Sequence, residues 1–400
     1  MTGRWRILAL MTAAQAGASV VQQAIGVLAP LLVVEFSLTH AQLGVMFTAM
    51  YLGSAVFTAV SGLLTDRFGE RTMVGVSGAT LAAGLIIASL VANYTLLVIG
   101  MFVFGMGYAA STPAGGRAIL SWFDRDRGFA MGIRQTGVPV GGMIGAVVLP
   151  FTALHFGGYR AALVVAAVLV IVPSAIAVAW YREADIDRPP PERFHQVFAG
   201  MRRLARDPRL IAATLTCMSL TDAQLSLNGF FTVTAVQVVG ATPALAASAF
   251  GCAFITAMVA RLFWGWYSDR YMRESRIWLL AALCALSAVS LFAVALLRPH
   301  MAPLLFPAAL ALGFTGAGWN GVMAAALAEI GGADRAGSAL GLTLTAVFGT
   351  SAVGPVIFGA IADRTALDVA WTVSAGFCAL GVLPAFWLRA HERRTKEQAA

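Results

Sequence analysis

Long apolar runs, each about as long as a bilayer is thick, alternate along this chain with short polar breaks. Twelve such runs stand out, at about 7–33, 41–64, 73–92, 95–121, 128–152, 158–181, 210–238, 243–267, 277–297, 303–330, 338–361 and 369–389. A helix needs roughly 20 apolar residues to cross the hydrocarbon core, and every run reaches that length. Lipid offers no water to unpaired backbone groups, so the runs predict helices. The period-two alternation of a membrane barrel is absent from them. One long polar interruption, 182–209, holds Pro189, Pro190 and Pro191 among mixed charges and divides the runs six and six. It predicts a six-helix N-terminal bundle over 1–181, a linker over 182–209 and a six-helix C-terminal bundle over 210–400. Within the linker, Phe194–Leu204 reads as an amphipathic helix lying on the membrane surface.

Composition strengthens this picture. Only 12% of the residues are charged and the mean hydropathy is +0.80, whereas a soluble domain carries roughly 25% charged residues. The formal net charge of +8 raises the question of nucleic acid, but its distribution answers it. With the N-terminus placed in the cytoplasm, the inner segments hold Arg4, Arg6, Arg67, Arg71, Arg125, Arg127, Arg270, Arg273, Arg276 and Arg335. The linker and the C-terminal tail add more, while the outer loops keep only Arg160, Arg298 and Arg364. That asymmetry predicts both termini inside, in a multi-pass protein of the cytoplasmic membrane with no nucleic-acid partner. Cys217, Cys252, Cys284 and Cys378 each stand alone in an apolar run, and the five histidines show no ligand spacing. Neither a disulfide framework nor a metal or other cofactor is expected. The N-terminal run is long enough to span and shows no clear cleavage site, so it does not read as a signal peptide.

A short repeat carries more specific information. Residues 62–71 read GLLTDRFGER and residues 265–274 read GWYSDRYMRE, so Gly-x-x-x-Asp-Arg falls after the second run of each half. A looser correspondence links DRDRGFAMG at 124–132 with ADRAGSALG at 333–341. Two similar halves are a transporter plan, with the site between them near the midplane. The chain resembles the major facilitator superfamily over essentially its whole length. Gly62, Leu64, Asp66, Arg67, Gly69 and Arg71 match the superfamily's loop signature, with Glu70 in place of a basic residue. The second copy keeps Gly265, Asp269, Arg270 and Arg273, with Met272 in place of glycine. SWFDRDRGFAMG at 121–132 is similar to a run found in the branch that carries organic anions. The resemblance implies a monomeric carrier of twelve transmembrane helices in two bundles. It also implies an inner gate at the repeated loops, touching the eleventh helix near Ser338. Asp66, Arg67, Arg71, Arg117, Asp269 and Arg270 are the gate candidates. The physical basis is that glycine permits close helix approach, and an aspartate can accept from the N–H groups at a neighbouring helix N-terminus.

Ionisable residues inside the apolar runs are costly unless paired or facing water. Asp222, near the centre of the seventh run, is therefore the candidate proton carrier. Arg134, inside the fifth run, sits among Gly132, Gly137, Gly141, Gly142 and Gly145, which predict close packing of that helix. Arg261 lies inside the eighth run. Carriers of monocarboxylates and oxalate, which the chain resembles in fold, bind the substrate carboxylate with an arginine at this place; the acid that accompanies it there is Ala257 here. Arginine keeps its charge and forks onto carboxylates, so Arg134 and Arg261 are expected to bind an anion from the two halves. Gln22, Tyr108, Asn228 and Asn320 are expected to complete the cavity, from a wider polar set that includes Gln15, Gln23, Ser111, Thr112 and Trp319. Glu35 and Glu329, near run ends, read as structural. The expected function is proton-coupled transport of a small organic anion, a carboxylate by preference; efflux of drugs or metabolites is the alternative. No nucleophile–base or phosphate-loop constellation suggests an enzyme.

Overall fold

The computed structural model describes the backbone of residues 3–90, 93–123, 127–182, 204–272 and 276–399. Side chains at 59, 62–63, 66, 112, 120, 127–129, 328, 332–338 and 395–399 fall outside that description. So do most of the expected linker and, apart from Leu204, the amphipathic helix expected within it.

The described residues are helical, with no strand among them. In chain order they form α1 (Gly3–Ala24), α2 (Ala29–Phe36), α3 (His40–Leu90), α4 (Tyr94–Trp122), α5 (Arg127–Phe156) and α6 (Gly158–Trp180). After 203 come α7 (Pro208–Gln237), α8 (Pro243–Tyr271), α9 (Arg276–Ala295), α10 (Leu305–Gly316), α11 (Asn320–Arg364), α12 (Leu367–Leu380) and α13 (Leu383–Ala399). Eleven helical stretches are long and apolar enough to span a membrane, and α1 with α2, bent by 60°, makes a twelfth. The runs at 41–64 and 73–92 share the single element α3. It breaks where Gly69 adopts φ 83°, ψ 166°, a conformation that strains any residue with a Cβ. The runs at 303–330 and 338–361 likewise meet within α11.

Local chemistry sets the helix starts. Asn93 accepts from the Thr95 amide, Asp207 from Arg209 and Thr242 from Leu245, each side chain satisfying a donor that the first turn leaves unpaired. Pro208 and Pro243 open α7 and α8, where a missing N–H costs nothing.

Small residues set the packing. A Cβ on Gly137, Gly141 or Gly145 would lie 2.8, 2.2 or 2.7 Å from the carbonyl oxygens of Thr12, Ala16 and Val20, so this four-residue ladder lays α5 directly on α1. Gly132 begins the expected stripe but faces open space. Helices on either side of the linker meet along a seam. At one end the seam is tight, because Cβ atoms on Gly26, Gly44 and Gly359 would lie 1.7, 2.3 and 2.1 Å from the carbonyl oxygens of Asn228, Pro355 and His40. The α1 C-terminus, the start of α3 and the end of α11 all lie here. Since α1 ends at this seal and the span beginning at Leu367 starts from it, the described ends of the chain, Gly3 and Ala399, lie toward the other end. There Gly132, Gly265 and Gly341 meet nothing within 4 Å.

Candidate functional site

Midway along the seam, α5 and α8 approach each other. The Phe254 ring fills the space that a side chain at Gly142 would occupy. About two helical turns from Phe254 toward the open end, Arg261 extends from α8. Its Nε donates to the Ala317 carbonyl at 3.3 Å, and its Nη1 reaches the Gln135 carbonyl of α5 at 3.4 Å. Arg134 immediately precedes Gln135 in the chain but points away from solvent, with 1% of its surface exposed. Its Nη2 donates to Gln15 Oε1 at 2.6 Å and to the Ser111 carbonyl at 3.0 Å, while Nε has no partner. Gly115 makes room for the guanidinium, since a Cβ there would sit 2.6 Å from Nη2. Tyr108 of α4 lies near Ser19 and Gln15 of α1 and within electrostatic reach of both guanidinium groups. Among the described residues, neither Arg134 nor Arg261 has a carboxylate partner.

Gln22 and Asn228 are brought together, but nearer the seal than the arginines. Asn228 Nδ2 donates to Gln23 Oε1 at 2.8 Å, Gln23 Nε2 donates to Gln22 Oε1, and Gln22 Nε2 donates to the Tyr51 hydroxyl at 3.3 Å. This amide chain crosses the seam and roofs the site. Asn228 Oδ1 remains without a partner. Asn320 opens α11 half-buried, and its Nδ2 is also unpartnered.

Asp222 is buried away from both arginines. Its Oδ1 faces Gly354 of α11, the Ser374 side chain of α12 lies near it, and Oδ2 has no partner among the described residues. Ser226, one turn along α7, meets Ser374 at 3.3 Å. The carboxyl lies where three helices pack, and among the described residues it has no cationic partner.

The loop residues form two ion-pair clusters near the termini-bearing end. Glu70, 6% exposed, holds Arg117 Nε at 3.1 Å, so the residue that departs from the loop signature finds its counter-charge on α4. Arg71 Nε donates to the Val178 carbonyl at 2.7 Å, and Arg67 is exposed over the Phe68 ring. In the second cluster Arg276 binds Asp269 at 2.8 Å and Glu329 at 2.9 Å, and also donates to Ser268. Arg270 is exposed. The Asp66 side chain, Arg273 and the side chain of Ser338 lie outside the described residues. Sequence reasoning passed over Glu70 and Arg276 as partners, and it read Glu329 as structural, a role that this pairing supports. Opposite charges one turn from a helix end were the available signal.

The sequence model of the Major Facilitator Superfamily matches residues 11–355. The chain belongs to this superfamily. It is a multi-pass membrane protein and a secondary transporter that moves small molecules by alternating access. Over 348 residues it is 30% identical to an uncharacterized MFS-type transporter of Mycobacterium tuberculosis, spanning 85% of this chain and 75% of that protein. It is 31% identical over 158 residues to the probable sulfoacetate transporter of Cupriavidus necator, across 39% of this chain and 35% of that one. It is 23% identical over 391 residues to the fosmidomycin resistance protein of Escherichia coli, across 92% of this chain and 88% of that one. The fold is shared with a bacterial homolog of the human lysosomal transporter Spinster, solved inward-facing and unoccupied. The TM-score is 0.84, the identity 16%, and the match covers 97% of each chain.

Proposed function

We propose that this transporter carries a small organic anion, a carboxylate by preference, bound between Arg134 and Arg261 and coupled to a proton held at Asp222. The observation that carries the reading is the pair of arginines on the facing helices α5 and α8, neither of which has a carboxylate partner among the described residues. A guanidinium at membrane depth is expensive unless an anion compensates it, and here the described residues supply carbonyl oxygens and no carboxylate. Those carbonyls are neutral acceptors where the arginines rest between cargoes. Arg134 is covered by Gln15, so loading requires that amide to swing aside and hand the guanidinium to the anion.

The partial similarity to a probable sulfoacetate transporter supports an anionic cargo. The positive-inside pattern sets the termini in the cytoplasm, which makes the sealed end the outer one and the state inward-open. Asp222 suits proton carriage because it is a buried carboxyl with one oxygen unpartnered and no cation paired with it among the described residues. A second reading, export, draws on the nearly full-length similarity to the fosmidomycin resistance protein; it changes the direction of transport and leaves the anion site in place.

Transport of carboxylates and sulfonates into proteoliposomes tests the assignment. Arg134→Ala and Arg261→Ala lose transport while the protein remains folded, and Asp222→Asn loses pH-driven accumulation but keeps exchange. Full transport in both arginine variants refutes the anion site.

A further inference from the structure

The spacing Gly-x-x-x-Asp-Arg occurs a third time in the chain, as GAIADR at 359–364. This copy ends α11 and lies at the sealed end, opposite the two loop copies. Its neighbour across the seam is the N-terminus of α3, where the donors can be accounted for one by one. Thr39 and Gln42 form a reciprocal capping box: the Gln42 amide donates to Thr39 Oγ1 at 3.1 Å, and the Thr39 amide donates to Gln42 Oε1 at 2.9 Å. That leaves the amides of His40 and Ala41 unpaired within their own helix. Asp363 takes both. The His40 amide donates to Oδ1 at 2.8 Å and the Ala41 amide donates to Oδ2 at 2.7 Å. The His40 ring adds a third link, with Nδ1 2.7 Å from Asp363 Oδ1 and Nε2 3.0 Å from Gln237 Oε1 of α7.

Gly359, one turn before Asp363, is what lets the carboxylate arrive, because a Cβ there would stand 2.1 Å from the His40 carbonyl oxygen. The contact continues along the seam, where Gly44 admits Pro355 and the Thr48 hydroxyl donates to the Ala352 carbonyl. The α3 N-terminus is thus capped partly by its own chain neighbours and partly by a helix from the far side of the linker. The carboxylate can cap it only while the seam is closed.

We propose that Gly359 and Asp363 form a latch that holds this end of the transporter shut and releases when it opens. The glycine sets the approach of the two helices, and the aspartate one turn on closes it against the helix dipole. Asp363 and His40 are about a quarter and a fifth exposed, so water reaches the freed groups on opening. The contact is therefore reversible, unlike a fully buried ion pair. The inference depends on alternating access and is independent of which molecule is carried.

The test uses spin labels at Glu35→Cys and Thr365→Cys, exposed positions on the two sides of the sealed end, in the full chain with Cys252→Ala, reconstituted in nanodiscs. Electron–electron distance distributions report the closed and open populations without any substrate. Asp363→Asn removes the charge from both amide bonds and should raise the open-to-closed ratio by at least about tenfold, the change expected from losing one charge-assisted hydrogen bond. Gly359→Leu should move the distribution the same way. Hydrogen exchange of the 39–43 amides, read in parallel, confirms that the cap is lost. Faster exchange with an unchanged distance distribution in Asp363→Asn would show a helix cap that does not latch, and would overturn the proposal.

Discussion

Replacing Arg134 by methionine separates its structural role from its role in binding. The side chain keeps its length and apolar stem but loses its charge. Two hydrogen bonds disappear, to Gln15 Oε1 at 2.6 Å and to the Ser111 carbonyl at 3.0 Å. Bonds to a charged group contribute about 1.5–3 kcal/mol each, so the gross loss is about 3–6 kcal/mol. Against this stands the penalty of holding a guanidinium out of water, several kcal/mol even after relaxation, together with the orphaned Nε. The two sides nearly cancel, and the folded protein should keep its stability to within about 2 kcal/mol, an order-of-magnitude difference of those terms. Anion binding has no such compensation. Losing one member of a buried charge pair costs about 2–5 kcal/mol, or roughly thirtyfold to a few thousandfold in affinity. Thermal unfolding followed by fluorescence of the nine tryptophans, beside uptake in proteoliposomes, reads both quantities. A variant that unfolds far below the wild type yet transports normally once stabilised would show that Arg134 is a structural anchor, and would refute the reasoning.

Two further predictions follow from packing and charge. Glu70→Arg restores the basic residue of the loop signature but sets it against Arg117. It should lower the unfolding midpoint by more than Glu70→Gln does, the latter costing about 1–2 kcal/mol, less than a fully buried pair because Arg117 is partly solvated. Combining Glu70→Arg with Arg117→Glu should recover part of the loss, as a double-mutant cycle on thermal midpoints would show. Gly141→Val places a Cβ where the Ala16 carbonyl lies 2.2 Å away, so α1 and α5 must separate at about 1–3 kcal/mol of overpacking cost. Gly132→Val, on the same helix with open space around it, should leave the midpoint unchanged.

The spans were legible because the bilayer imposes both their length and their apolarity, and twelve runs marked them to within a few residues. The glycine ladder of α5 was legible for a related reason: four-residue spacing puts Gly137, Gly141 and Gly145 on one face whatever the partner helix is. Gly132, nine residues before Gly141, falls on the opposite face of the helix, which is why it meets open space although it belongs to the same glycine-rich run. Arg134, Arg261 and Tyr108 were each visible as polar residues out of place, and the fold sets Tyr108 within electrostatic reach of both arginines. The amide chain of Gln22, Gln23 and Asn228 was not foreseen as a roof, because the bond that carries it across the seam joins Asn228 to Gln23, about half a chain away. Asp363 escaped notice for an instructive reason. It lies at a helix end facing water, where an aspartate raises no alarm, and only the folded chain places the α3 N-terminus against it. The pairing of Glu70 with Arg117 was hidden in the same way, since the substitution looked like a departure until its counter-charge on α4 came into view.

The central claim is that the seam holds an anion by charge, using one arginine from each side. It is tested most directly by thermal-shift titration of the purified protein with matched probes: lactate, malonate, succinate and sulfoacetate against their neutral amides. At a ligand concentration a hundredfold above its dissociation constant, binding adds roughly 2.7 kcal/mol to the folded state, a readily measured shift. The account predicts stabilisation by at least one of the anions, none by the corresponding amide, and loss of the effect in both Arg134→Gln and Arg261→Gln. Equal stabilisation by an anion and its amide, or an anion response that survives in both variants, would contradict it.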